Sequence, residues 1–269
     1  MQADDAERHG GDSFRRASGC GPQADGDEAA DAAPRTRQAP GGSGGGPDAA
    51  ALRSPSPRPL CPLCEDRATH LLARVEEKDY HSCDLCGLVH LDPAHHLLPE
   101  EERARYDTHR NDPSDEGYRE FLSRLATPLI ARLPPGAEGL DYGAGPGPTL
   151  SVILQEAGFP TAIYDPFYAP DPAVLDRDWD FVTCTETVEH FFRAGEEFER
   201  FDRLLRPGGY LAIMTEVLEE PPPFAEWWYR RDPTHVAFYR PGTLEWIAER
   251  FGWSLERPHR NVAIYRKPG

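Results

Sequence analysis

Lysine is almost missing from this chain. Of 29 basic residues only Lys78 and Lys267 are lysine, set against 46 acidic residues and a net charge of −17. The shortage of positive charge is not local: residues 1–58 hold nine acids and seven arginines, leaving 22 basic against 37 acidic residues, a balance of −15, in the remainder. Such a surface repels a polyanion unless a local patch reverses it, which argues against nucleic acid as the main partner. The arginine bias reads as genome composition rather than a binding code. No apolar run approaches the roughly 20 residues needed to cross a membrane. The amino terminus lacks the apolar core of about 7 to 15 residues that a secretory signal needs, and its mixed acids argue against a transit peptide. These absences predict a soluble, cytoplasmic protein with no membrane partner. Residues 1–58 also lack a periodic apolar face and contain Gly41-Gly42-Ser43-Gly44-Gly45-Gly46. Such a stretch cannot offset its ordering entropy and is predicted to be a disordered tail.

Cysteine is sparse too, at six residues, but four are paired: Cys61-Pro62-Leu63-Cys64 and Cys83-Asp84-Leu85-Cys86, with 18 residues between the pairs. Each short knuckle lets two sulfurs meet one tetrahedral ion, so the spacing predicts a structural zinc ribbon over residues 59–95. The alternation around His70–Val75 supplies its hairpin. His81 and His90 lie close by, but four thiolates already complete the shell. Four unliganded or disulfide-bonded cysteines are the bland alternative. Cys184 reads as core and Cys20 as an incidental tail thiol.

After a linker at 96–116, residues 117–269 read as alternating helix and strand. Tyr118, Phe121, Leu122, Leu125, Leu129 and Ile130 recur at helical spacing before Pro134-Pro135-Gly136. Strands are predicted at Gly139–Tyr142, Thr161–Tyr164, Asp180–Cys184, Tyr210–Thr215, Ser254–Glu256 and Val262–Tyr265. Helices are expected through Ala157, over Glu197–Leu205, and around Leu244–Phe251. The pattern is α/β, a doubly wound and mostly parallel sheet.

The stretch Leu140-Asp141-Tyr142-Gly143-Ala144-Gly145-Pro146-Gly147-Pro148 joins a strand end to a helix start through three glycines in five residues. A dinucleotide fingerprint would need glycine at 148, where Pro148 stands, and Asp141 would repel a pyrophosphate. A nicotinamide oxidoreductase is therefore disfavoured. The stretch resembles motif I of class I S-adenosylmethionine-dependent methyltransferases. Asp165 at the end of the second strand, Asp180-Phe181-Val182-Thr183-Cys184, and Leu204-Leu205-Arg206-Pro207-Gly208-Gly209 extend the resemblance over about residues 117–269. It implies a Rossmann-like methyltransferase sheet holding S-adenosylmethionine. Asp141, Gly143, Ala144, Gly145, Gly147, Asp165 and Thr185 would contact the cofactor, with Asp165 accepting from both ribose hydroxyls. Only 14 residues separate Asp165 from Asp180, so the third strand is expected to be short or absent. The adenine contact could fall to Asp176 or Asp178 with Trp179 stacking, or these could be plain loop residues.

Thr185-Glu186-Thr187-Val188-Glu189-His190-Phe191 follows the fourth strand, and His235 comes 45 residues after His190. Glu-x-x-Glu-His resembles the ubiquinone-pathway O-methyltransferases, and with the distant histidine it looks like the divalent-metal site of small-RNA 2′-O-methyltransferases. The resemblance implies Glu186, Glu189, His190 and His235 as ligands of Mg²⁺ or another divalent ion, acting as a Lewis acid. Without a metal these residues shape the cofactor pocket, Glu186 among the catalytic candidates, and His190 or His235 becomes the candidate general base. Pro221–Tyr229, rich in aromatics, is either a lid over an apolar acceptor or packing on the sheet. The reading is a methyltransferase acting on a small hydroxylated acceptor. An RNA 2′-O-methyltransferase, and a non-catalytic zinc-ribbon adaptor that binds the cofactor without turnover, are the alternatives.

Overall fold

The computed structural model describes residues 58–108, 111–219 and 223–269. The tail expected at 1–58, apart from Arg58, and Cys20 with it lie outside the described residues. The chain opens on strands β1 (Thr69–Val75), β2 (Lys78–Cys83) and β3 (Val89–Leu91), then helices α1 (Pro99–Tyr106) and α2 (Glu116–Ile130). Next come β4 (Gly139–Tyr142), α3 (Thr149–Glu156), β5 (Thr161–Tyr164), β6 (Trp179–Thr185), α4 (Ala194–Leu204) and β7 (Leu205–Met214). The two-residue β8 (Ala237–Phe238), α5 (Pro241–Phe251), β9 (Ser254–His259) and β10 (Val262–Arg266) complete it.

The larger sheet has the order β5-β4-β6-β7-β10-β9. Its first four strands are parallel and β10 runs antiparallel to both neighbours. Parallel neighbours need crossovers, which α3 and α4 supply. Strand alternation then loads both faces. Val182, Cys184, Leu211 and Ile213 pack with Phe198, Phe201 and Leu204 of α4, whereas Phe181, Ala212 and Met214 pack with Leu122, Leu125 and Leu129 of α2. No third strand enters the sheet between β5 and β6. That span holds an Asp165–Ala169 bridge and a short 3₁₀ turn at Pro172–Leu175. The turn expected at Arg206–Gly209 is a bulge within β7, where pairing skips from Leu205 to Tyr210.

The smaller sheet, β1-β2-β3-β8, is antiparallel, and its fourth strand comes from far along the chain. Between the two sheets' chains, the segment expected as a bare linker contains α1, a correction that matters at the site. Its first turn carries Pro99, Glu100, Glu101 and Glu102, residue types that suit a helix amino terminus.

Candidate active site

The carboxyl ends of β4, β5 and β6 converge on the glycine loop, the position where open α/β sheets bind ligands. Gly143 and Gly145 take φ of +77° and +63°, the left-handed region that glycine enters without cost. The Gly143 and Ala144 amides donate to the Tyr164 carbonyl at 2.8 and 3.2 Å, tying the loop to the end of β5. Asp165 accepts at one carboxylate oxygen from the Gly145 amide (2.9 Å) and at the other from the Phe167 and Tyr168 amides (2.8 and 3.0 Å). Gly147 meets a different constraint. A Cβ there would lie 1.8 Å from the Asn111 carbonyl oxygen, so a preceding segment crosses directly over the loop. Asp141 lies beneath it, 3% exposed, accepting from the Thr183 hydroxyl at 2.8 Å. Burial pushes its carboxyl up to about 6, against the Thr183 and Ser151 hydrogen bonds that favour the charged form.

Beyond the loop, Glu189, His190 and His235 are brought together, with one ligand-type atom from each within 4.8 Å of the others. His190 donates from Nδ1 to the Thr234 carbonyl (3.0 Å), and His235 from Nδ1 to the Tyr229 carbonyl (2.7 Å). A carbonyl only accepts, so both protons sit on Nδ1 and both Nε2 lone pairs are left for another group. His190 Nε2 is 3.9 Å from Glu189 Oε1. Burial drives His235 down to about 3 and keeps it neutral. Fully buried Glu189 accepts from the Tyr229 hydroxyl at 2.5 Å and from the Thr215 hydroxyl at 3.0 Å.

Glu186 stands apart from this trio. It reaches the cluster through the Tyr229 hydroxyl, 3.3 Å from Oε2. Its backbone is strained at φ +48°, a value costly for a side chain with a Cβ. Glu186 Oε1 and Thr185 Oγ1 are buried without a hydrogen-bond partner among the described residues, side by side at the carboxyl end of β6. Burial and the Glu189 charge push the Glu186 carboxyl well above the usual range.

Two open alternatives are decided here. Trp179 begins β6, at the far end of the sheet from the loop, where with Glu138, Thr161 and Arg177 it lines an open cleft of about 570 Å³. The Arg177 guanidinium covers its ring at 4.0 Å, and its indole donates to Val174, so it cannot stack on an adenine held at the loop. Asp176 and Asp178 share that wrong end. The aromatic segment is packing rather than lid: Phe224, Trp227 and Tyr229 are buried with Tyr80, Leu91 and Phe238 against the smaller sheet, and of its rings Trp228 alone is exposed. The roof over the site comes from α1 instead. Arg105 pairs with Asp232 at 2.7 Å, Tyr106 sits edge-on to His190 with centroids 5.2 Å apart, and Asp107 accepts from the Tyr168 hydroxyl at 2.6 Å. Sequence reasoning missed Thr215, Tyr106 and Asn111, and took Tyr229 only as a member of the aromatic segment. Thr215 alone carried a signal, as the polar residue ending a buried strand beside Thr185.

The four paired thiols form a second cluster within 4.8 Å, with Cys61–Cys86 and Cys64–Cys83 sulfurs 3.5 and 3.4 Å apart. Disulfide sulfurs would be about 2.05 Å apart, while tetrahedral arms of about 2.3 Å set sulfurs nearly 3.8 Å apart. The donor set therefore fits one zinc ion. The residue after each second cysteine, Glu65 (φ +58°) and Gly87 (φ +73°), is left-handed, which folds each knuckle back on itself.

No helix among the described residues is long and apolar enough to cross a membrane. No curated protein matches the chain. Similar solved structures include the 1,6-didemethyltoxoflavin-N1-methyltransferase of Burkholderia thailandensis, bound to 1,6-didemethyltoxoflavin and S-adenosylhomocysteine. It is 18% identical, with 75% of this chain and 99% of that one covered and a TM-score of 0.46. Streptomyces venezuelae DesVI is 16% identical over 64% of this chain and 99% of its own, with a TM-score of 0.43. An O-methyltransferase family protein from Burkholderia thailandensis is 15% identical over 62% and 63%, with a TM-score of 0.41. The family described as "Methyltransferase domain" matches residues 108–257, more than half of the 269 residues. With the glycine loop, Asp165 and the parallel sheet in their expected places, the chain belongs to that family and is a class I S-adenosylmethionine-dependent methyltransferase.

Proposed function

We propose that the chain methylates a small hydroxylated acceptor gathered at Glu189, His190 and His235, with a divalent ion bound by these three residues and a structural zinc held by Cys61, Cys64, Cys83 and Cys86. The observation that carries the reading is the pair of Nδ1 atoms tied to backbone carbonyls, which leaves two Nε2 atoms and one carboxylate close to a common point. Two imidazoles and a carboxylate suit a first-row transition ion or zinc better than Mg²⁺. When bound, such an ion favours the deprotonated form of an acceptor hydroxyl. Methyl transfer is an in-line displacement, so the remaining work is positional. Asp165 and the Gly143–Gly147 loop hold the cofactor's nucleoside and amino-acid parts, Thr185 and Glu186 lie at the carboxyl end of β6 between that loop and the Glu189–His190–His235 trio, and Tyr106 packs edge-on to His190. His235 is a poor proton acceptor, since burial keeps it neutral down to about pH 3, which supports a ligand role over a general-base role. The negative surface supports a small acceptor over RNA.

The test is a screen of metabolites and RNA with labelled methyl donor, run with and without added Mn²⁺, on the wild type and on Glu189→Ala. Label on a small hydroxylated compound, dependent on Mn²⁺ and lost in the variant, supports the reading. Label that appears only on RNA, or that survives both chelation and Glu189→Ala, refutes it.

A further inference from the structure

The cysteine ribbon and the histidine cluster are joined through backbone rather than by side-chain contact. Three residues past Cys86 the chain enters β3, which pairs with β2 on one side and with β8 on the other: Val89 opposite Phe238, His90 opposite Ala237. The Leu91 amide donates to the Val236 carbonyl at 2.9 Å, and the Val236 amide donates to the Glu189 carbonyl at 2.8 Å. Val236 follows His235 directly. One continuous ladder thus runs from the second knuckle to the main chain of two cluster residues.

The knuckles are themselves seated on the same half of the molecule. Pro62 accepts from the Gly195 amide at 2.8 Å, and a Cβ on Gly195 would fall 2.5 Å from the Leu63 carbonyl oxygen, so the first knuckle lies flush on the start of α4. Arg240 donates to Ser82 (3.0 Å) and to the Gly87 carbonyl (3.5 Å), fixing the second knuckle to the start of α5. β8 is two residues long, and β3 is its strand partner. A strand that short holds no register of its own, and a ribbon this small depends on its metal for order. The glycine loop, by contrast, draws its partners from Tyr164, Asp165, Thr187 and Asn111.

We infer that the ribbon is the positioning element of the acceptor side: β3 sets the register of residues 234–238, and so where His235 Nε2 meets Glu189 and His190, while the cofactor cradle is built without it. Leu91 and Val236 are positioning residues through their backbone groups, not catalytic ones. The inference rests on the zinc reading of the four cysteines, and elemental analysis of the wild type tests that reading first and separately.

The experiment is hydrogen exchange read by mass spectrometry on the full chain, comparing the wild type, Cys64→Ser and the ligand-retaining Cys64→His, with calorimetric titrations of S-adenosylmethionine and of Mn²⁺. In Cys64→Ser, segments 187–191 and 234–239 should exchange at least about tenfold faster, while 139–165 keeps its rates. Mn²⁺ affinity should fall about tenfold or more, the cofactor dissociation constant should stay within about twofold, and Cys64→His should restore both readouts. Protection of 234–239 that survives opening of 69–91 would overturn the inference. So would joint loss of 139–165 protection and cofactor binding, which would make the ribbon a part of global stability alone. A wild type without zinc overturns the zinc reading and the inference together, and is recognised before any exchange is measured.

Discussion

The two halves of the proposed active site, cofactor cradle and acceptor side, are built in opposite ways. The cofactor cradle is nearly contiguous: Asp141, Gly143–Gly147 and Asp165 fall within 25 residues, and their partners are mostly main-chain groups of adjacent strand ends. The acceptor side gathers Glu189, His190, Thr215, Tyr229 and His235 from the ends of different elements, roofed by Tyr106 of α1 and backed by β3. A contiguous site can be specified by a local turn and its glycines. A dispersed one depends on every element that holds its pieces, so it should be both easier to disrupt at a distance and easier to vary without losing the reagent.

The largest effect should come from removing the carboxylate that ties the glycine loop to the chain just after β5. Asp165→Ala removes the acceptor of three main-chain amides as well as the proposed ribose partner, and charge-assisted bonds of this kind contribute about 1.5–3 kcal/mol each. Calorimetry should show S-adenosylmethionine affinity falling about a hundredfold or more, with the histidine cluster unaffected; retained affinity would show that the loop alone suffices. Next, Tyr229→Phe deletes the hydroxyl serving Glu189 and Glu186 while leaving the carbonyl that fixes His235. Mn²⁺ affinity should drop about tenfold, unfolding free energy should fall by about 1–3 kcal/mol, and cofactor affinity should hold.

Acid separates the halves by sign. His235 is pushed down to about 3 from an ordinary 6.5, so its stabilisation is present above pH 6.5 and is lost as pH falls toward 3. Asp141 is pushed up to about 6 from an ordinary 3.8, so its contribution is full below pH 3.8 and is lost as pH rises through 6. Between pH 6 and 4, exchange at 234–239 should therefore accelerate relative to exchange at 139–145. Equal change in both segments would contradict the assigned environments. The smallest effect is expected at Trp228, the exposed member of the aromatic run at 45% accessibility. Trp228→Ala should change stability by less than about 0.5 kcal/mol; a large loss of acceptor turnover would return that residue to a lid role.

Much of the cradle was readable in advance because its physics is local. Gly143 and Gly145 announce positive φ, and Asp165 falls at a strand end that hydrophobic alternation marks out. The two Cys-x-x-Cys knuckles are legible for the same reason, since two ligands per short turn is a matter of spacing. Glu186 shows where such reading stops. The resemblance placed it beside Glu189 as a ligand, yet Val188–His190 is a single 3₁₀ turn and Glu186 lies before it in a left-handed conformation, joined to the trio through the Tyr229 hydroxyl. Trp179 shows the same limit from the other side. Its position just before a buried strand fixes it to the amino-terminal end of β6, but only the parallel pairing of β6 with β4, and of β4 with β5, makes that the end remote from the glycine loop.

The sequence by itself determined the alternating α/β layout and the two Cys-x-x-Cys knuckles, and carried the resemblance that implies the class of reagent, because glycine conformation, strand periodicity and knuckle spacing act over a few residues. Tertiary structure alone decided that Tyr229 links Glu186 to Glu189, that α1 rather than the aromatic run forms the roof, and that the ribbon shares a sheet with the chain just after His235. Those are contacts between residues tens to more than a hundred positions apart, set by which faces bury together, and no local pattern encodes them.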